Sequence, residues 1–218
     1  MNLGVETLVW LALLLPSITL HEFMHGYAAY RLGDPTAKNA GRLSLNPLRH
    51  VDPFGTVLLP LILAFAGGPI FGYAKPVPVN PRYFRDIRMG DLITGVAGPA
   101  ANLGLAFAGA GLAWAALPVA GLIGTGAAGW MMLVGTLLTQ TNLVLMFFNL
   151  IPLPPLDGSS IIPVFLSDRQ LVRWYRLQQY SFGILLLLMW GIPALTGFSP
   201  LGYYFDWTVR PVAQLLLP

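Results

Sequence analysis

Thr7 to Tyr30, TLVWLALLLPSITLHEFMHGYAAY, is the stretch on which the fold of this chain turns. At about 1.5 Å per helical residue it is long enough to cross roughly 30 Å of hydrocarbon. Its only carboxylate is Glu22, inside His21-Glu22-Phe23-Met24-His25. An ionisable residue at membrane depth costs about 2.5–3.5 kcal/mol on insertion scales, so it is a functional-site candidate by default. Pro16 frees the Ala12 carbonyl and predicts a local kink. The histidine motif follows directly on the same helix with no small-residue cleavage site between, so the segment is expected to stay on the chain rather than be removed as a leader.

The rest of the composition agrees with a lipid-facing surface. The 218 residues are 56% hydrophobic and 10% charged, against about 25% charged in an average soluble domain, and mean hydropathy is +0.67. The length predicts one domain over 1–218, with a core over about 7–165 and C-terminal membrane segments over 178–218. There is no cysteine, which excludes disulfides and thiolate ligands, so any metal must be held by nitrogen and oxygen. The net charge of +3 comes from basic residues grouped in loops. No basic and aromatic pattern suggests nucleic-acid binding.

Further apolar stretches cover 54–73, 92–117, 127–152, 180–195 and 200–218, separated by polar loops at 31–49, 75–91 and 157–176. The last stretch carries Asp206 and Arg210, so an interfacial helix and a crossing suit it equally. Stretch 54–73 is broken by Pro60, Gly67, Gly68 and Pro69. Basic residues decide its course, because cytoplasmic loops carry the excess lysine and arginine. Arg31, Lys38, Arg42 and Arg49 precede it, Lys75, Arg82, Arg85 and Arg88 follow it, and Arg169, Arg173 and Arg176 come later. If 54–73 spans, these groups divide between both faces. If it turns back, all of them share one face, and the rule is obeyed far better. The Pro and Gly breaks also suit a re-entrant segment buried in protein. The prediction is an all-α polytopic membrane protein, a helical bundle of about four to six membrane segments with one re-entrant segment and a short membrane-edge β element.

That topology brings two polar islands to one depth. His21 and His25 are i and i+4 on one helix face. Two imidazoles at that spacing can share a zinc ion, with Glu22 beside them as general base. A catalytic zinc needs a third protein ligand. The candidates are His50, Asp52, Asp157 and the loop aspartates. Asp157 is favoured, because an apolar span delivers it and Gly158 lets the backbone turn closely. His50 reads better as a loop residue that opens segment 54–73.

In combination these motifs resemble the site-2 protease family of intramembrane zinc metalloproteases. His21-Glu22-Phe23-Met24-His25 matches the family's zinc-binding helix. Asn149 through Pro152 to Leu156-Asp157-Gly158 matches its asparagine, proline and Leu-Asp-Gly pattern, and Gly98-Pro99-Ala100-Ala101-Asn102 matches a third element. The resemblance covers roughly residues 10–165. One departure is Ser159, where many members carry a second glycine. It implies one Zn2+ per chain held by His21, His25 and Asp157, with Glu22 as catalytic base. It also implies a membrane-protein substrate with a transmembrane or signal-peptide-like segment. The compact prokaryotic branch, without extra domains, is the nearest in form. The expected location is the prokaryotic plasma membrane, with the active site near the cytoplasmic side.

Other polar residues in the spans receive weaker assignments. Asn149 is expected to donate to the oxyanion, a role that can contribute roughly 2.7–4 kcal/mol. Asn102 is a candidate for the same role or, more in keeping with membrane asparagines, a link between helices. Gly72-Tyr73-Ala74-Lys75-Pro76-Val77-Pro78-Val79-Asn80-Pro81 reads as extended. Its prolines strip one edge of donors, and Lys75, Val77 and Val79 keep the other. Val77 and Val79 are therefore candidates for pairing with an unwound substrate strand. A membrane metal-binding or transport protein is the alternative function, but a transporter wants a polar path across the whole bilayer. Here the ionisable groups cluster at one depth.

Overall fold

The computed structural model describes residues 4–58, 62 and 75–218. Five long helices carry the architecture: α1 (Val5–Arg31), α2 (Ile87–Ile123), α3 (Thr125–Asn149), α4 (Asp168–Leu186) and α5 (Pro200–Leu216). A π-helical turn, Leu187–Gly191, and Ile192–Thr196 prolong α4. Helices α1, α2 and α3, together with Asp168–Thr196, are long and apolar enough to cross a membrane. α1 runs through Pro16 without a break. Ser17 and Thr19 turn their hydroxyls onto the Leu13 and Leu15 carbonyls, which hides these polar groups from lipid.

α2 and α3 pack backbone to backbone. A Cβ on Gly109 would lie 2.7 Å from the Thr139 nitrogen, and one on Gly135 would lie 2.6 Å from that of Ala113. Small residues are what lets membrane helices approach this closely. α5 then covers α3, burying Val209 and Ala213 against Ala106, Leu143 and Met146. The Tyr204 hydroxyl donates to the Phe147 carbonyl near the end of α3, and the Trp114 indole donates to Leu216. These bonds tie the two ends of α5 to opposite ends of the bundle, so α5 runs alongside α3 instead of lying flat across its end.

The polar loops on either side of 54–73 meet one another. Lys75 N–H donates to the His50 carbonyl at 2.9 Å, and Asn80 N–H donates to Asp34 at 2.6 Å. Loops 31–50 and 75–86 therefore share one end of the bundle, as the charge count requires. The re-entrant course expected for 54–73 lies mostly outside the described residues, which there include only a π-helical turn over Pro53–Leu58 and Ile62.

Two expectations need correction. No strand ladder is present among the described residues, and 75–80 runs as a single extended segment. Its polar groups go mainly to side chains: Arg42 donates to the Lys75 carbonyl at 2.5 Å, Val77 N–H goes to Glu22, and Asn80 N–H to Asp34. A ladder has nothing left to pair with at those points. Second, residues 168–176 are helical, where a polar loop was expected to run to 176. Ser167 and Gln170 form a capping box that starts α4, a signal visible in the sequence. Arg88 of α2 fastens this start, donating to the Leu166 carbonyl and to Asp168, both at 2.6 Å.

Candidate metal centre

Three side chains converge where α1 meets the turn Asp157–Ser160 that follows α3. His21 Nε2 stands 3.0 Å and His25 Nε2 3.3 Å from Asp157 Oδ2. The two Nε2 atoms are 3.0 Å apart, with the rings edge to face. Among the described residues this is the one group of three such side chains whose ligand atoms lie together.

The other ring nitrogens show what these atoms are for. His25 Nδ1 donates to the Thr94 carbonyl at 2.7 Å, and His21 Nδ1 to Asn102 Oδ1 at 2.6 Å. A carbonyl can only accept, so the proton of each neutral ring sits on Nδ1 and the Nε2 lone pair points inward. Asp157 Oδ2 is buried and has no hydrogen-bond donor. Three lone pairs thus face one point, an arrangement that repels itself unless a cation sits among them. Burial by itself would raise the Asp157 carboxyl. Hydrogen bonds and charge from the two imidazoles, when protonated, outweigh it and bring the group to about 2. A metal ion at the same point acts in the same sense. Ligands around a tetrahedral zinc at about 2.0–2.2 Å stand roughly 3.3–3.5 Å apart, and the observed triangle of 3.0–3.3 Å is slightly tighter than that. The donor set, two imidazoles and a carboxylate, fits zinc.

Glu22 is the next residue along α1, about 100° round the helix from His21. Its Oε2 accepts the Val77 N–H at 3.0 Å.

Known proteins are similar to this sequence over most of its length. One from Bacillus subtilis, "Putative zinc metalloprotease YwhC", is 39% identical over 203 residues, which is 89% of this chain and 82% of the relative. The chain belongs to this zinc metalloprotease family. "Putative zinc metalloprotease Rip2" of Mycolicibacterium smegmatis is 34% identical over 193 residues, 88% of this chain and 70% of the relative. Its namesake in Mycobacterium tuberculosis is 28% identical over 199 residues, 88% and 71%. No family model and no solved structure matches.

A buried relay in the metalloprotease fixes the first imidazole. Asn102 accepts from His21 and donates to Asn142 Oδ1 at 2.8 Å, and Asn142 donates to Ser17 Oγ at 3.0 Å. All three relay residues behind the ring are fully buried. The Asn102 amide therefore faces its own helices. It orients His21 and links helices, the second of the two roles the sequence offered for it. Asn149 turns its amide back onto the Leu145 carbonyl at 2.9 Å, which occupies one of its two N–H donors. His50 Nε2 donates to the Ser44 carbonyl, and Asp52 receives the Phe54 and Gly55 N–H groups. Neither belongs to the metal group. The N–H of Val77 is occupied by Glu22, so it is not free for a substrate strand as expected. For Val79 the structure shows only that it follows in the same extended segment.

Sequence reading missed Thr94, and it placed Gly98 in a motif without giving it a role. Thr94 acts through its carbonyl, which no side-chain pattern announces. Gly98 acts through a missing atom. Ser17 could have been found, because it lies four residues before His21 on the same helix face.

Residues that hydrogen-bond the far nitrogen of a ligating histidine typically carry a 10–100-fold effect on metal affinity. Asn102→Ala is expected to weaken zinc binding by about that factor in competition with a chelator. Parental affinity in that variant would show that the relay does not orient His21.

Proposed function

We propose that this chain is an intramembrane protease of the site-2 type, which hydrolyses peptide bonds within or near transmembrane segments of membrane proteins. The observation that carries the reading is the acceptor-only triangle of His21, His25 and Asp157, set at the end of apolar helices with a carboxylate next to it in sequence. The resemblance of the three motifs to that family supports the same reading. So does the gathering of basic loops around the site's end of the bundle, which favours a cytoplasmic-side centre in a plasma membrane.

His21, His25 and Asp157 would hold one zinc. When bound, zinc supplies a Lewis acid that polarises a carbonyl and lowers the pKa of water. The Glu22 carboxylate takes the proton of the attacking water and returns it to the leaving amine. Thr94 and Asn102 keep both imidazoles in the tautomer that leaves Nε2 free. Helices α1 to α3 exclude bulk water from the far side of the centre. A helical substrate shields its peptide carbonyls, so the scissile segment must unwind before it is attacked.

The test is Glu22→Gln. Purified protein should keep its zinc while cleavage of a single-span model substrate falls about 10²–10⁴-fold, the range of general acid–base catalysis. Hydrolysis at the parental rate would rule out the base and, with it, this mechanism.

A further inference from the structure

Zinc binding leaves one motif of the sequence unexplained: Lys75-Pro76-Val77-Pro78-Val79-Asn80. We propose that the backbone N–H of Val77 is a positioning group that sets the Glu22 carboxylate for proton transfer; this rests on Glu22 being the base, as read above. Proline has no N–H, so Val77 supplies the single backbone donor within Pro76–Pro78. That donor meets Glu22 Oε2 at 3.0 Å. Each proline also locks its own φ and pushes the residue before it toward extended backbone. Lys75 and Val77 are both such residues, so the segment is stiff before anything touches it.

Anchors on both sides fix where the donor points. Before Val77, Arg42 donates to the Lys75 and Pro76 carbonyls at 2.5 and 3.4 Å, and Lys75 N–H is bound by His50. After it, Asn80 N–H is held by Asp34, a carboxylate with 0% exposure that also caps the Thr36 turn. Val77 itself is buried. Its side chain packs on Gly26, one helical turn beyond Glu22, so tightly that a Cβ there would lie 2.9 Å from Val77 Cγ1. The segment is thus a brace between two loops, seated on α1 and offering one donor to one carboxylate. A hydrogen bond to an ionised acceptor is among the stronger kinds. It fixes Oε2 and hence the plane of the carboxylate. The motif's alternating prolines then have a reason other than strand pairing: they remove every competing donor and hold the remaining one still.

The experiment compares zinc-loaded parent, Val77→Pro, Val77→Ala and Glu22→Gln on one single-span model peptide in detergent. Val77→Pro keeps an extended backbone and loses only the N–H and the packing. It should lower kcat about 10²-fold, the scale of a misplaced catalytic group, with KM and zinc content near parental. Val77→Ala keeps the N–H and should lose far less. A parental kcat in Val77→Pro overturns the proposal. So does a loss confined to KM, which would assign Val77 to substrate pairing. If Val77→Pro does not hold zinc, Gly26→Ala decides: it should push the brace off Glu22 and lower kcat, and adding Val77→Ala should restore part of it. No such rescue also overturns the proposal. A parent without Glu22-dependent hydrolysis removes the functional reading itself, whereas Glu22-dependent hydrolysis indifferent to Val77 removes this inference alone.

Discussion

Asp157→Ala is expected to empty the metal centre. Of the three ligands it is the only one that carries charge, so its removal leaves two neutral imidazoles to hold a divalent ion at the edge of an apolar bundle. Charge in such surroundings must be paired or it costs several kcal/mol. Among the described residues His21, His25 and Asp157 are the one group whose ligand atoms lie together, and the neighbouring Glu22 Oε2 is engaged by the Val77 N–H. His50 is tied to Ser44, and Asp52 closes its own turn, so neither can take over without refolding its loop. Purified Asp157→Ala should retain less than about a tenth of the parental zinc after dialysis, because loss of a ligand weakens the site at least as much as the 10–100-fold typical of losing a group that hydrogen-bonds one. Cleavage should fall with it. Elemental analysis of the two proteins side by side checks this. Parental zinc in Asp157→Ala would place the third ligand elsewhere and break the triangle as a metal site.

Much of this arrangement was legible in the sequence, for definite reasons. α1 and α3 stand within three residues of where hydropathy puts them, and α2 extends the expected 92–117 by five residues at its start and six at its end. The i, i+4 histidines declare their own face. The loops around His50 and Lys75 had to share an end because the basic residues demanded it. What stayed hidden depends on contacts between distant residues. The start of α4 is a local exception: the Ser167–Gln170 capping box is written in the sequence, inside a stretch whose polarity reads as loop. The extended 75–80 segment looked like an edge waiting for a strand, and its donors are spent on His50, Glu22 and Asp34 instead. Composition shows that a donor exists; only packing shows who accepts from it. Asn102 illustrates the same limit. A lone asparagine in a span reads as a link between helices, and here it is that and the orienter of a ligand at once.

Gly98→Ala should be as damaging as loss of a ligand, although it adds one methyl group. Glycine in a helix interior costs about 0.8–1.0 kcal/mol relative to alanine, so the substitution ought to stabilise α2 wherever there is room. Gly104, on the same helix, has room: a Cβ there meets nothing within 4 Å. At Gly98 a Cβ would lie 2.4 Å from His25 Nε2 and 2.6 Å from His21 Cε1. Neither ring can retreat cheaply. His21 is held from behind by the fully buried Asn102, and His25 by the Thr94 carbonyl, which belongs to α2 itself. Moving α2 away instead would drag Gly95 off the Asp157 turn, where a Cβ would meet Ser160 Oγ. The methyl therefore opposes both imidazoles directly, and the Asp157 turn through any shift of α2. Gly98→Ala is expected to lose zinc and cleavage together while Gly104→Ala keeps both and melts at or above the parental temperature. If Gly98→Ala binds zinc as the parent does, the imidazoles do not sit against α2, and the tautomer argument built on Thr94 and Asn102 falls with that contact.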